Sequence, residues 1–191
     1  MVVVIVIGAV VLAVALFVLI TYNRLVRMRL ACENSWAQIE VALKLRHDLV
    51  PNLVAAVSGY AGHERATFER TAEARGAAVA AVGSGPAAQG PVEGMLAAGI
   101  TNLIGVAEAY PELEASENFA SLQRDLSSVE ERISITRRVY NDTVETLNTA
   151  VAVFPQSLVA GAFGFRPRQF FTADAEVQTA PVVELGGDAQ P

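Results

Sequence analysis

The chain has 191 residues, 52% of them hydrophobic and 18% charged, with a formal net charge of −6. That is room for one domain of ordinary size plus an extra segment. The acidic balance argues against a general nucleic-acid binder, the single cysteine excludes an internal disulfide and a cysteine-rich zinc module, and two histidines leave little room for a His-based metal centre.

The apolar excess is concentrated at one end. The first 23 residues carry no charged side chain, and Val2 to Ile20 is an unbroken apolar run. At about 1.5 Å per residue this run reaches roughly 28 Å, close to the hydrocarbon thickness of a bilayer. A buried core helix of that length would carry a polar stripe, and this one has none. A cleaved signal peptide would need a basic start, a shorter apolar stretch and small residues at the cleavage site. Leu30-Ala31-Cys32 hints at a lipoprotein signal, but Arg24, Arg27 and Arg29 separate that cysteine from the apolar run. The reading is therefore a transmembrane helix with Tyr22 at the headgroup level. Basic flanks stay in the cytoplasm, so the N-terminus is expected outside and residues 24 to 191 inside, where a free Cys32 thiol is at home.

A long helical stretch follows. Trp36, Ile39, Leu43, Arg46, Val50, Leu53, Val57 and Tyr60 are spaced alternately three and four, a heptad seam with one charged member. Pro51 crowds and frees the His47 carbonyl at a cost of about 3 kcal/mol in a helix interior, and Gly59 and Gly62 each cost about 1 kcal/mol against Ala. Unbroken from Arg24 to Val82 this helix would reach about 88 Å, against about 54 Å for the last long one. A compact bundle thus needs a break near Pro51 or near Gly59 to Gly62; otherwise a long first arm faces a broken return arm and leaves apolar surface for other copies. Asp48 is a candidate cap for a helix restarted at Pro51.

Gly83-Ser84-Gly85-Pro86 through Gly90-Pro91 predicts a loop. Pro91 to Ala109 predicts a shorter helix with Leu96, Ile100, Leu103, Ile104 and Ala107 on one side, ended by Pro111, and Ser116 is placed to cap the next. There Phe119, Leu122, Leu126, Val129, Ile133, Thr136, Tyr140, Thr143, Leu147, Ala150 and Phe154 alternate three and four without a slip, and Pro155 stops the pattern. Such a stripe must be buried against another helix. Gln156 to Phe165 is a candidate short helix. No strand-like alternation occurs. The expected fold is all-α: an antiparallel helical bundle of three to four long helices with coiled-coil-like seams and an N-terminal transmembrane helix. The divisions are 1–23 for the span, 24–165 for a cytoplasmic bundle and 166–191 for a mostly disordered acidic tail.

Several motifs resemble the LemA family. They are Tyr22-Asn23-Arg24-Leu25-Val26, Asn34-Ser35-Trp36-Ala37-Gln38-Ile39-Glu40-Val41, Arg46-His47-Asp48-Leu49-Val50-Pro51-Asn52-Leu53-Val54 and Gly59-Tyr60-Ala61-Gly62-His63-Glu64. Further along come Tyr110-Pro111-Glu112-Leu113, Glu117-Asn118-Phe119, Arg138-Val139-Tyr140-Asn141-Asp142, and Phe154-Pro155 through Phe163-Gly164-Phe165. The likeness runs from about residue 20 to about residue 175, with order and spacing kept. It implies a bacterial protein with one N-terminal span and a cytoplasmic antiparallel bundle, and it brings no catalytic residues. A relative in magnetosome-forming bacteria is tied to magnetosome membrane biogenesis, which implies membrane organisation. Gly62, where a larger residue is usual, and the Gly-Ser-Gly-Pro loop depart from the common pattern.

A direct search for chemistry finds none. His63-Glu64 opens like a zincin motif, but Thr67 stands where the second His belongs. A di-iron bundle needs Glu three residues before His, and Lys44 and Tyr60 hold those places. No Gly-rich phosphate loop follows a strand, and no Gly-x-Ser-x-Gly elbow exists. Glu130 and Glu131 point about 100° apart on a charged helix face. No catalytic, cofactor-binding or metal residue is assigned, and the protein is read as a non-enzyme without cofactors.

The best polar cluster is Arg46, His47, Asp48 and Asn52: either a partner or ligand contact at a kink or, the favoured reading, a structural group in which a buried Arg46 must find a carboxylate or carbonyl. Asn52 or Asn141 is the candidate to satisfy polar groups there. Trp36, Tyr60, Phe119, Tyr140 and Phe154 are read as seam anchors. Phe154, Leu158, Val159, Phe163 and Phe165 with Arg166 and Arg168 either lie on the bilayer surface or close one end of the bundle. The expected function is a single-pass scaffold that meets the lipid bilayer through residues 2–20, self-associates as a homo-oligomer through helix faces and organises membrane or membrane proteins, with no nucleic-acid partner. The alternative is an adaptor or regulator of a membrane-protein partner such as a peptidase or sensor kinase.

Overall fold

A single helix carries the chain from its apolar end into the bundle. In the computed structural model, which describes residues 1–172, α1 runs unbroken over Val2–Ser58. It is followed by α2 (Arg65–Ala80), α3 (Pro86–Ala107), the single turn α4 (Pro111–Glu114), α5 (Glu117–Ala152) and the short α6 (Gln156–Ala162). No strand occurs among the described residues, and the fold is the expected all-α bundle.

The break in the first stretch falls at Gly59–Gly62, where two low-propensity residues meet within one turn. Pro51 stays inside α1. The part of α1 from Arg24 to Ser58 is then about 52 Å long and α5 about 54 Å, so the two can pack over their full shared length. They do so antiparallel: the Ser35 and Thr143 hydroxyls are 3.0 Å apart, and farther along α1 Arg46 meets Glu130, nearer the start of α5. The α2–α3 hairpin covers the distal half of this pair. Its turn uses Gly83 and Gly85 at φ +80° and +91°, the left-handed region where a Cβ is costly.

The loop is shorter than the sequence predicts. Pro86 starts α3 at its first turn, where a missing amide costs nothing. Pro91 is accommodated within the helix because Ala87, whose carbonyl loses its partner, faces water. Ser116 takes the N-cap position of α5, but its side chain makes no capping hydrogen bond.

Three apolar tiers follow the long axis. The membrane-proximal tier joins Leu25, Ala150, Val159 and Ala160. The middle tier holds Cys32, Ile39, Leu43, Ile133, Tyr140, Leu147 and Phe171. The distal tier holds Val50, Leu53, Val57, Leu96, Ile100, Leu103, Leu113, Phe119 and Leu126. The seam residues of α1 from Ile39 to Val57 are all buried, as the heptad spacing requires.

Two seam anchors are not anchors. Tyr60 lies in the turn after α1 and is 47% exposed, and Phe154 lies past the end of α5 and is 74% exposed. The heptad count runs through both, but each helix has ended before the side chain reaches its partner. Trp36 is half-buried, with its ring 5.3 Å from Tyr140 and 5.4 Å from Phe171.

Arg166 to Thr172 correct the expectation of a disordered tail from residue 166. This segment lies along α5 as an extended arm. Asn148 accepts from the Arg168 amide at 2.7 Å and donates to its carbonyl at 2.9 Å. Asn141, one heptad earlier, does the same for Phe171 at 2.9 and 3.2 Å. Burial pushes the Tyr140 hydroxyl up in pKa, so it stays protonated and donates to the Gln169 carbonyl at 2.8 Å. Two asparagines and a tyrosine thus satisfy a backbone that has no strand beside it. The rest of the expected tail, 173–191, lies outside the described residues.

At Thr172 the arm meets α3, where the Thr172 carbonyl occupies the space a Cβ on Gly90 would need. Gly90→Ala is expected to lift the arm, remove Phe171 from Trp36 and cost about 2 kcal/mol, the burial value of one such ring. Trp36 fluorescence and thermal unfolding of the full chain in detergent would both register the change.

Candidate functional site

Between the middle and distal tiers the bundle encloses charge. Arg46 is a seam residue of α1, and its heptad position turns it inward, so it is almost wholly buried. A buried guanidinium without an anion would cost several kcal/mol. It meets the carboxylate of Glu93, which is fully buried on α3, and donates to the Glu93 backbone carbonyl at 3.2 Å. It also donates to Glu130 on α5 at 3.0 Å, and that carboxylate reaches the surface. His47, the next residue, donates from Nε2 to the other Glu93 oxygen at 2.8 Å. An ionised carboxylate only accepts, so both oxygens of Glu93 are held by cationic or N–H donors.

Burial pushes the Glu93 carboxyl up, while hydrogen bonds from His47 and Arg46 and the nearby guanidinium charge pull it down; the net result lies below its ordinary value. Glu93 is therefore ionised throughout the neutral range. The node ties α1, α3 and α5 together at one level.

A second polar problem is solved next to it. Pro51 has no amide, so the His47 carbonyl has no partner within α1. Arg75 of α2 reaches across and donates from Nε to that carbonyl at 2.7 Å. The sequence pointed to Asn52 or Asn141 for this task. Asn52 faces solvent, and Asn141 serves the C-terminal arm. Asp48 is exposed and pairs with Lys44 at 3.2 Å. The four residues of the sequence cluster thus divide: Arg46 and His47 point into the core, Asp48 and Asn52 away from it.

The sequence reading missed Glu93, Gln89 and Arg75, and treated Glu130 as a solvated face. A signal for the first two existed. Gln89, Glu93, Leu96, Ile100, Leu103 and Ala107 are spaced four, three, four, three, four, so the α3 stripe continues back through a glutamine and a glutamate. Gln89 is fully buried and its side-chain amide has no protein partner. It lines a groove of about 630 Å³ with Leu43, His47, Arg75, Val79 and Val82. No nucleophile–base pair stands in this node, and among the described residues no three His, Cys, Asp or Glu side chains gather as a metal set. What the arrangement does chemically is neutralise charge and fix register.

A LemA family profile matches residues 35–185. The chain belongs to the LemA family. It is similar to the magnetosome protein MamQ of Magnetospirillum gryphiswaldense, 24% identical over 177 residues, and to the magnetosome proteins MamQ 1 and MamQ 2 of Paramagnetospirillum magneticum, each 25% identical over 177 residues. Each match covers 80% of this chain and 65% of the relative, so the chain spans just under two thirds of the length of these curated relatives. The LemA match contains the whole node: Arg46, His47, Arg75, Glu93 and Glu130 all lie inside it. With an apolar, unburied stretch at the start of α1, this LemA protein is membrane-associated.

Two outcomes test the node. Glu93→Gln is expected to destabilise the full chain by about 3 kcal/mol at pH 7, the cost of stranding a buried charge. Because the folded-state pKa of Glu93 is lowered, its contribution is full above the ordinary glutamate range and fades as pH falls through the folded value. The gap between wild type and variant should therefore narrow below about pH 4 in acid-unfolding curves. Separately, Arg75→Ala should cost about 1–3 kcal/mol by leaving the His47 carbonyl bare, and much less in a Pro51→Ala background, where α1 supplies its own amide. A double-mutant cycle in chemical denaturant measures that coupling.

Proposed function

We propose that this protein is a non-enzymatic, single-pass scaffold that self-associates through helix faces and organises the membrane or proteins within it. Residues 2–20 cross the bilayer once, with the N-terminus outside and the bundle in the cytoplasm, as the arginines at 24, 27 and 29 favour. The observation that carries the reading is the continuity of α1: one helix is both the apolar span and the central rod of the bundle. A rod without a hinge transmits position and orientation from membrane to bundle, which a scaffold needs and a tethered enzyme does not.

Self-association draws support from the outer faces. Ile135 and Val139 stand one turn apart on the outside of α5, and Val41 and Leu45 one turn apart on the outside of α1, all exposed. Apolar pairs at this spacing form a ridge that packs against another helix. The relatives' names as magnetosome proteins fit a role at a membrane. The adaptor reading rested on the Arg46-His47-Asp48 cluster and the acidic tail as contact surfaces; Arg46 and His47 lie inside the bundle, Asp48 is exposed, and 173–191 lie outside the described residues.

The test is a mass measurement on detergent-solubilised full-length chain, on a chain lacking residues 1–23, and on Ile135→Glu/Val139→Glu. The wild type is expected as a multimer and the double variant as a folded monomer. A wild type that is monomeric in detergent and shows only monomer after crosslinking in intact membranes would overturn self-association.

A further inference from the structure

The exposed apolar residues at the lower end of the bundle lie at the level where α1 leaves its apolar run. α5 ends at Ala152, and the chain turns through Pro155 into α6, which packs back on α1. The buried side of α6, Val159 and Ala160, meets Val18, Leu25 and Met28 of α1. Val18 lies within the apolar run that ends at Ile20. The Tyr22 ring, two residues past that end, lies 5.0 Å from Phe163 and 5.8 Å from Phe165.

The local geometry is built to hold this position. Gly164 adopts φ +72°, its amide bonds to the Gly161 carbonyl, and the Phe165 amide bonds to the Ala160 carbonyl at 2.9 Å. This is a Schellman close, and it folds Phe165 back under Arg29, whose guanidinium stands 5.7 Å from the ring.

The other side of this foot is bare. Phe154 is 74%, Leu158 66% and Phe163 54% exposed. Three large apolar side chains in one short segment form a surface that a soluble protein would bury. Arg166 follows them closely and Arg24 and Arg27 follow the apolar run, while Arg168 is paired with Glu33 at 2.6 Å; arginine is the residue that pairs with lipid phosphate while its stem lies along apolar material.

We propose that α6 and its flanks form a second membrane contact: Phe154, Leu158 and Phe163 insert into the headgroup–acyl boundary beside the point where α1 emerges. The occupant is the lipid surface and not another copy, because the patch is continuous with the span and its height is fixed by Val18 and Tyr22. One helix alone leaves the bundle free to tilt; a second contact on one side of it sets the angle at which the bundle stands. The proposal rests on residues 2–20 spanning the bilayer, and the experiment separates the two.

Single tryptophans are placed in the full chain at Leu12, Leu158, Phe163 or Ile135 in a Trp36→Phe background, and each variant is reconstituted into vesicles of phosphatidylcholine and phosphatidylglycerol with brominated acyl chains. Leu12→Trp should be quenched, which reports the span. Leu158→Trp and Phe163→Trp should lose emission about two-fold, as expected for a side chain 5–10 Å deep, and Ile135→Trp, exposed on α5, should keep its emission. Quenching at position 12 with none at 158 and 163 would overturn the foot while leaving the span intact, whether water or a second copy covers it. No quenching at 12 would remove both.

Discussion

The bundle depends on the burial of one guanidinium. Arg46 interrupts an otherwise apolar seam, and its position turns it inward regardless of what waits there. Its charge is tolerable only because Glu93 comes from α3 and Glu130 from α5, with His47, next on α1, donating to the other Glu93 oxygen. Those partners fix three helices at one level. Sliding α3 by a turn along α1 would still set apolar side chains against apolar ones in the distal tier, and Leu and Ile replace one another there for less than about 1.5 kcal/mol. It would also leave a buried charge alone, at about 3–5 kcal/mol. The apolar tiers hold the helices together, and the ionic node selects the register.

Pro51 belongs to the same problem. A proline in mid-helix is where a long rod is expected to bend or break. Here the freed carbonyl is that of His47, a member of the node, and Arg75 takes it from the neighbouring helix. A local defect in α1 becomes a fastening point for α2, and the rod from Val2 to Ser58 stays whole. The break is displaced to Gly59–Gly62, beyond the last buried seam residue, Val57, and Ala61 within it still packs into the distal tier.

How far the sequence discloses this depends on the kind of information. Heptad spacing located the buried faces of α1, α3 and α5 because a 3.6-residue period repeats many times and averages out local exceptions. The same periodicity carried Tyr60 and Phe154 into the core, where they do not belong, since a period says nothing about where a helix stops. The demand of Arg46 for a carboxylate was legible; its supplier was not, because Glu93 lies 47 residues away and pairing at that distance is a property of topology. The ordered arm from Arg166 to Thr172 was least legible. Its backbone is held by Asn141, Asn148 and Tyr140, and a segment whose backbone hydrogen bonds are supplied by another helix has no pattern of its own to read.

The family match sharpens what is general and what is local. It begins at Ser35, after the span and the first turns of α1, and includes the node, the Pro51 fastening and the arm. These are the parts that define a bundle of fixed register. The part of α1 before Ser35 is subject to a looser physical demand: apolar enough to cross, long enough to reach, and continuous with the rod. Continuity is the strictest of these. Any residue added or removed between Met28 and Ser35 would rotate the later part of α1 by about 100° about its axis relative to α6's seat on Val18, Tyr22, Leu25 and Met28. The membrane-proximal tier is therefore coupled to the node through the phase of both α1 and α5, which each reach both levels, and the length of α1 between them is set by the angular match of its two ends.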